Sequence, residues 1–238
     1  MSYDKRVDGR GFDELRKMEA KVGVIPRADG SAYFSMGGTS AYAAVYGPRQ
    51  TYPKFLQDPS KGVLRCHYAM MPFSGAGDRV RPGPNRRAKE ISLVTTNALL
   101  PAIDLHEFPN AIVDVFISLP ETDAGSRCAG ICAASLALAD AGIPMTELVG
   151  AVAVGRVDDK VVVDLCYDEE AYEEGEVADI PVAMLYNKGE ISLLQMDGKI
   201  SKDMLLEALE RAKKALTFIH DVQVKALKER FKQVENIE

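Results

Sequence analysis

The amino-acid sequence has no tryptophan, only three histidines and four cysteines, and no apolar run long enough to cross a bilayer. The cysteines form no Cys-x-x-Cys pair, so they predict buried thiols in a reducing compartment rather than a zinc site or a disulfide framework. Three widely spaced histidines also argue against zinc. The first residues are charged and lack the apolar core of a signal peptide, so we expect a cytoplasmic protein without membrane contact.

The 238-residue chain also has fewer basic residues, 29 Lys and Arg, than acidic ones, 35 Asp and Glu, so its net charge is −6. Nucleic-acid binders are usually basic on the binding face, so the overall charge argues against one. The charges are unevenly distributed, however. Five basic residues fall within 79–89, and eight acidic residues fall within 164–179. The two groups could form one site, with bases for a polyanion and acids for a metal ion or for proton transfer.

The hydrophobic pattern predicts an α+β fold of mixed sheets with packed helices and a long C-terminal helix. Strand patterns bounded by Gly-rich turns lie at 22–25, 31–36, 40–46, 63–71, 111–119, 148–157, 160–165, 180–186 and 190–196. Helical patterns cover 86–100, the small-residue stretch after Gly125, and the segment that follows Ser201. A loose repeat of strands followed by a helix indicates two similar halves, 1–120 and 121–238, within one domain.

The most informative segment is 123–127 (DAGSR), which joins a strand pattern to the small-residue helix. A helix that starts at Gly-Ser presents unpaired N–H groups at its positive end, which suits an anion. Arg127 adds a guanidinium, and its nearest basic neighbours in sequence are Lys89 and Arg156. So isolated a charge needs a partner. A helix cap with a structural ion pair explains the pattern about as well as a phosphate site does.

Two further patterns carry candidate chemistry. Most acidic runs are solvated loops, but Asp179 directly precedes an apolar strand, where a held carboxylate could bind Mg²⁺ or donate a proton. Alternation along strand 63–71 places Arg65 and His67 on one face. That pair could contact a phosphate backbone or a base, or it could simply be the exposed face of a half-buried strand.

Nine motifs, taken in order, resemble the RNase PH family, and most closely the catalytic RNase PH-like subunits of the archaeal exosome core. They are VDGR (7–10), ADGSA (28–32), VYGPR (45–49), MPFS (71–74), RRAKEIS (86–92), DAGSR (123–127), LADAGIPM (138–145), ADIPVA (178–183) and LQMDG (194–198). The resemblance covers nearly the whole chain. It implies an RNase PH-like fold and a phosphorolytic 3′→5′ exoribonuclease that releases nucleoside diphosphates and can add RNA tails in reverse.

The resemblance also implies roles for individual residues. Those that would hold the attacking inorganic phosphate are Arg87, Gly125, Ser126 and Arg127. Those that would contact RNA are Arg65, His67 and Arg86, although the family usually has a more basic residue at position 67.

Two acids are expected at the reacting bond, with Mg²⁺ as a cofactor. Asp179 matches the second acid and is also the candidate metal ligand. The family places the first acid six positions earlier, which is Glu173 here. If the loop contains an insertion within 174–177, the first acid is Glu170 instead.

The expected partners are RNA, a paralogous inactive subunit that completes a hexameric ring of three heterodimers, and RNA-binding cap proteins. An alternative is a non-catalytic ring subunit that only binds RNA. A metal-dependent hydrolase is a third alternative, supported by the acidic run alone.

Overall fold

The computed structural model describes residues 3–83 and 85–235. Its secondary structure, in chain order, is β1 (Met18–Val22), β2 (Gly30–Met36), β3 (Thr39–Gln50), β4 (Val63–Met70), α1 (Arg86–Leu99), β5 (Ala111–Glu121), α2 (Ser126–Asp140), β6 (Val149–Val157), β7 (Lys160–Val163), α3 (Tyr167–Glu170), β8 (Val177–Leu185), β9 (Glu190–Leu194), β10 (Asp197–Gly198) and α4 (Lys202–Glu235). The predicted α+β class and the long final helix are confirmed. No helix within the described residues is long and apolar enough to span a membrane.

The first sheet has the strand order β1-β2-β3-β5-β4. Its strands are antiparallel except for β4, which runs parallel to β5. The four strands predicted between 31 and 119 are confirmed, but the one predicted at 22–25 is wrong. The first strand ends at Val22 because Gly23 adopts a left-handed conformation, with φ of +73°.

The second sheet has the order β10-β8-β6-β7, with β9 also paired to β8. Both predicted hairpins are confirmed. On the central strand β8, Asp179 pairs with Gly155 of β6 on one side and with Asp197 of β10 on the other. A candidate catalytic carboxylate is therefore fixed by strands on both sides.

Helix α2 lies between the two sheets and packs against β2, β3 and β5 on one side and against β6 and β8 on the other. Most of its residues are small, and twelve of the fifteen are buried. The approach is close enough to exclude a side chain from Gly30, since a Cβ there would lie 2.2 Å from the backbone nitrogen of Ala141. This packing fixes where the N-terminus of α2 emerges.

The other helices cover the sheets from outside. Helix α1 packs against β4, and α4 packs against β6, β1 and β7. The side chain of Asn85 caps α1 by accepting from the Ala88 backbone N–H at 2.7 Å. All four cysteines are free and buried, as the sequence predicted.

Candidate active site

A pocket of about 780 Å³ opens where the N-termini of α1 and α2 approach α3, β8 and β10. The predicted site residues that line it are Arg87, Gly125, Ser126, Arg127, Glu170 and Asp179. These residues come from sequence positions almost a hundred apart. The fold therefore brings the predicted anion site and the acidic run into one cavity.

The anion site is built by a sharp turn before α2. Ala124 and Gly125 both adopt left-handed conformations, with φ of 56° and 61°, and the helix then starts at Ser126. The first-turn amides of a helix have no acceptor within the helix, so they remain available at the pocket. The predicted start of the small-residue helix is confirmed, and its N-terminus faces the cavity with Arg127 beside it.

Arg127 has a polar partner in the second half of the chain. Its Nη1 donates to Oε1 of Gln195 and lies 3.9 Å from Oε1 of Glu90. The Gln195 amide nitrogen in turn donates to Glu90 at 3.0 Å. This chain of contacts holds the guanidinium at the pocket wall. Sequence reasoning had not assigned a role to Gln195, although it lies inside the LQMDG motif.

Asp179 is a carboxylate with an incomplete set of partners. Its Oδ1 is buried and has no hydrogen-bond partner among the described residues. Burial raises the pKa of Asp179 to about 6, since nearby Arg127 and Arg87 offset the loss of hydration only partly and Asp197 adds repulsion. The pocket therefore contains a carboxyl group that can hold a proton near neutral pH.

Glu170 is the second acid of the pocket. Burial and the charge of Asp179 together raise the pKa of Glu170 to about 7, although the Gly125 amide and the two arginines oppose the shift. Glu173 is exposed and lies outside the pocket lining. Of the two candidates for the first acid, the structure brings only Glu170 to Asp179.

The three predicted RNA-contacting residues lie outside the pocket. The predicted alternation on β4 is confirmed, with Arg65 and His67 outward. Both face Asp114 of β5, since Arg65 Nε lies 2.6 Å and His67 Nε2 lies 3.5 Å from its Oδ1. The His67 ring also stacks on Phe116, with 4.7 Å between centroids. Arg86 is exposed at the start of α1.

Comparison with known proteins gives concordant results for both halves of the chain. A model of the 3′ exoribonuclease family, domain 1, matches residues 14–144, and the model of domain 2 matches residues 147–215. The exosome complex component Rrp41 of Thermococcus kodakarensis is 50% identical over 230 residues, which cover 97% of this chain and 91% of that protein. The protein of that name from Archaeoglobus fulgidus is 44% identical over 232 residues, which cover 96% and 88% of the two chains.

Solved structures share the fold at lower sequence identity. Rice (Oryza sativa) Rrp46 superposes with a TM-score of 0.83 at 24% identity, covering 94% of this chain and all of that one. A chain of the Archaeoglobus fulgidus exosome with RNA bound to the active site superposes with a TM-score of 0.75, also at 24% identity, covering 96% and 93%. The family models and the identity to the curated relatives confirm the resemblance seen in the sequence motifs, and the chain belongs to the RNase PH family of 3′ exoribonucleases.

Proposed function

We propose that this chain is the catalytic subunit of an exosome and degrades RNA from its 3′ end by phosphorolysis. Inorganic phosphate is the attacking group, the product is a nucleoside diphosphate, and the reverse reaction extends RNA from diphosphates. The observation that supports phosphorolysis is the joint presence of an anion site and two carboxyls with raised pKa values in one pocket. A non-catalytic ring subunit would have no need of this combination.

The first task of the site is to bring two anions together. Phosphate and the RNA phosphodiester repel each other, so positive charge must neutralise the nucleophile. Arg87, Arg127 and the N-terminal amides of α2 supply that charge from the wall of the pocket. Holding both reactants in line for attack supplies much of the remaining acceleration.

The second task is to assist departure of the ribose 3′-oxygen. An oxygen of inorganic phosphate forms the new bond to the terminal phosphorus, and the bond to the 3′-oxygen breaks with its electron pair leaving on that oxygen. Asp179 donates the proton that the leaving oxygen needs, because its pKa of about 6 keeps part of the population protonated near neutral pH. Glu170 fills the place of the family's first acid, and its own pKa is raised by burial and by the charge of Asp179.

Magnesium fits this pocket only as an ion held jointly by protein carboxylates and substrate phosphates. No group of three or more His, Cys, Asp or Glu suited to a metal ion occurs within 3–83 and 85–235. Mg²⁺ commonly binds through one or two carboxylates together with substrate phosphates, and the unpartnered Oδ1 of Asp179 beside Glu170 offers that set. A bound Mg²⁺ would neutralise charge that develops on phosphate and leaving oxygen.

RNA and partner contacts complete the proposal. Arg65, His67 and Arg86 contact the RNA backbone outside the pocket, where their exposed positions suit a strand on its way to the site. The chain assembles with a paralogous inactive subunit in a ring of three heterodimers, and cap proteins feed RNA to that ring. A cytoplasmic location, implied by the sequence, stays a prediction.

The test is a phosphate-dependence assay on single-stranded RNA, with the chain alone and with its paralogous partner. We expect degradation only when phosphate is supplied, with nucleoside diphosphates as products. Nucleoside monophosphates released without phosphate would overturn the proposal in favour of a hydrolase. RNA binding without turnover in the assembled complex would instead indicate the non-catalytic subunit.

A further inference from the structure

The turn that precedes α2 is braced by a buried arginine that the mechanism above does not use. Arg16, which lies just before β1, is 7% exposed. Its Nη1 donates to the backbone carbonyl of Asp123 and lies 3.5 Å from Oδ2 of the same residue. Its Nη2 lies 3.3 Å from the position that a Cβ on Gly125 would occupy. One guanidinium therefore binds Asp123 at the start of the turn and occupies the space beside Gly125 at its end.

The guanidinium of Arg16 is itself fixed. Asp164, which is 1% exposed, accepts from Nε at 3.0 Å and from Nη2 at 2.7 Å, and the backbone N–H of Arg16 also donates to it. The amide of Asp164 donates to the carbonyl of Ala153 on β6 at 2.7 Å. A bidentate pair of this kind holds the guanidinium in one plane. The guanidinium therefore stays directed at residues 123–125.

The turn needs such a brace because of its backbone conformation. Ala124 is not glycine, yet it has φ of 56°, and residues held in this region persist only where the surroundings determine them. Thr39 contributes from β3, where its Oγ1 donates to the Ala124 carbonyl at 2.6 Å and accepts from the Asp123 amide at 2.8 Å. Arg16 donates to the backbone carbonyl of Asp123, and the carbonyl of Gly125 accepts from the amides of Cys128 and Ala129 in α2.

The same turn is tied to the acids of the pocket. Oδ1 of Asp123 accepts from the backbone N–H of Tyr167 at 2.9 Å. Tyr167 is the first residue of α3, and Glu170 is the last. Asp123 therefore joins the phosphate side of the pocket to the acid side, and Arg16 holds Asp123.

We propose that Arg16 is a positioning residue for the attacking phosphate. It fixes the Asp123–Gly125 turn so that the first amides of α2 and the side chain of Arg127 point at one position in the pocket. The inference rests on the proposed phosphorolytic function, because the position in question is that of inorganic phosphate. We expect loss of Arg16 to weaken phosphate binding rather than RNA binding, because the Asp123–Gly125 turn carries the anion site.

The test is Arg16→Lys in the full chain assembled with its ring partner. Lysine keeps the charge opposite Asp164, but its single ammonium cannot reach Asp164 and Asp123 together. We expect the KM for phosphate to rise about tenfold or more, because small misplacements of reacting groups are costly. The kcat at saturating phosphate should fall less than about threefold, and RNA affinity without phosphate should not change.

Arg6→Lys is the matched control. Arg6 is also buried and bidentate, on Glu169, and it donates to the backbone carbonyl of Asp164, but among the described residues it makes no hydrogen bond to 123–125. We expect a similar loss of thermal stability but a phosphate KM within about twofold of wild type. An equal rise of the phosphate KM in both variants would mean general loosening and would overturn the proposal.

Asp123→Asn provides a second route if Arg16→Lys fails to fold. The side chain of Asp123 is partly exposed, and asparagine can still accept from Tyr167 while losing its charge attraction to Arg16. We expect the phosphate KM to rise about threefold, by the loss of one exposed charge interaction. An unchanged phosphate KM would overturn the link from Arg16 to the phosphate site through the Asp123 carboxylate. A wild-type enzyme without phosphate dependence would instead remove the proposed function itself.

Discussion

Glu169 and Glu170 are consecutive residues of α3, yet their environments are opposite. Glu169 is fully buried and accepts hydrogen bonds from Tyr3, from Arg6 and from the backbone of Cys166, at 2.7–3.0 Å. Burial alone would raise the pKa of Glu169, but these partners lower it below its usual value. Glu170 is half-buried beside another acid, and its pKa is raised to about 7.

The contrast extends to the arginines of the two clusters. Arg6 and Arg16 each contact a carboxylate at 2.7 Å, and the pairs they form are closed to solvent. Within the described residues, neither Arg87 nor Arg127 forms an ion pair with Glu170 or Asp179. Removing one partner of a buried ion pair destabilises a fold, whereas charged groups that lack such a partner in a pocket are available to a substrate. We call the buried pairs of Arg6 and Arg16 the structural cluster. The pocket residues Arg87, Arg127, Glu170 and Asp179 form the reactive cluster.

Asp179→Asn should have the largest effect, because it removes the proton donor without changing the size of the side chain. We expect kcat for phosphorolysis to fall by about 10³ or more, within the range for loss of a general acid, while RNA affinity is retained. Single-turnover assays and fluorescence anisotropy measure the two quantities. Asp159→Asn, at an exposed hairpin turn of the same sheet, is the control. Wild-type rates in Asp179→Asn would remove the proton-donor role.

Glu170→Gln and Glu173→Gln form a matched pair three positions apart. Only Glu170 lies in the pocket, so we expect kcat to fall about 100-fold in Glu170→Gln and less than about twofold in Glu173→Gln. Both proteins should melt near the wild-type temperature, because neither glutamate makes an ion pair within the described part of the chain. The reverse order of activities would assign the first acid to Glu173 and would contradict the comparison between Glu169 and Glu170.

The sequence predicted the elements that carry the site because their local patterns are strong. The start of α2 followed from a strand pattern, a Gly-Ser step and a run of small residues, and β8 followed from the apolar run after Asp179. The position of the first acid did not follow. Helix α3 is a single turn, and its start depends on a capping box between Cys166 and Glu169 that resembles ordinary loop sequence.

Contacts between distant parts of the chain were beyond the sequence for a different reason. Arg16 and Asp123 are 107 positions apart, and nothing local to either residue indicates the other. The alternation of Arg65 and His67 was predictable from the period of a strand. That their face lies away from the pocket depends on how the first sheet packs on α2, which is a property of the whole fold.

The two clusters should also respond oppositely to pH. Glu169 has a lowered pKa, so its stabilising effect is present above the ordinary glutamate pKa and is lost as the pH falls through its folded value. Glu170 and Asp179 have raised pKa values, so the folded state holds more protons than the unfolded state between about pH 4 and pH 7. Their effect on stability therefore becomes less favourable as the pH rises through that window.

Thermal melts from pH 3 to pH 8 measure this difference. Relative to the double variant Glu170→Gln/Asp179→Asn, the wild type should lose about 5 °C or more in Tm as the pH rises from about 4 to 7. The wild type should have a higher Tm than Glu169→Gln at neutral pH. This difference in Tm should shrink at the acidic end. Parallel curves for all three proteins would show that the two clusters do not differ in proton affinity.

The smallest effect is expected at Arg65, which belongs to neither cluster. Arg65 is exposed and already paired with Asp114, so part of its charge is compensated before RNA binds. Arg65→Glu should weaken RNA binding severalfold at low salt and should lower the slope of log affinity against log salt by about 1, as for the loss of one phosphate contact. Arg49→Glu, another exposed arginine paired with an aspartate, is the control. If both variants bind RNA equally well at every salt concentration, Arg65 does not contact the backbone, and the outer face of β4 is only the solvated side of a sheet.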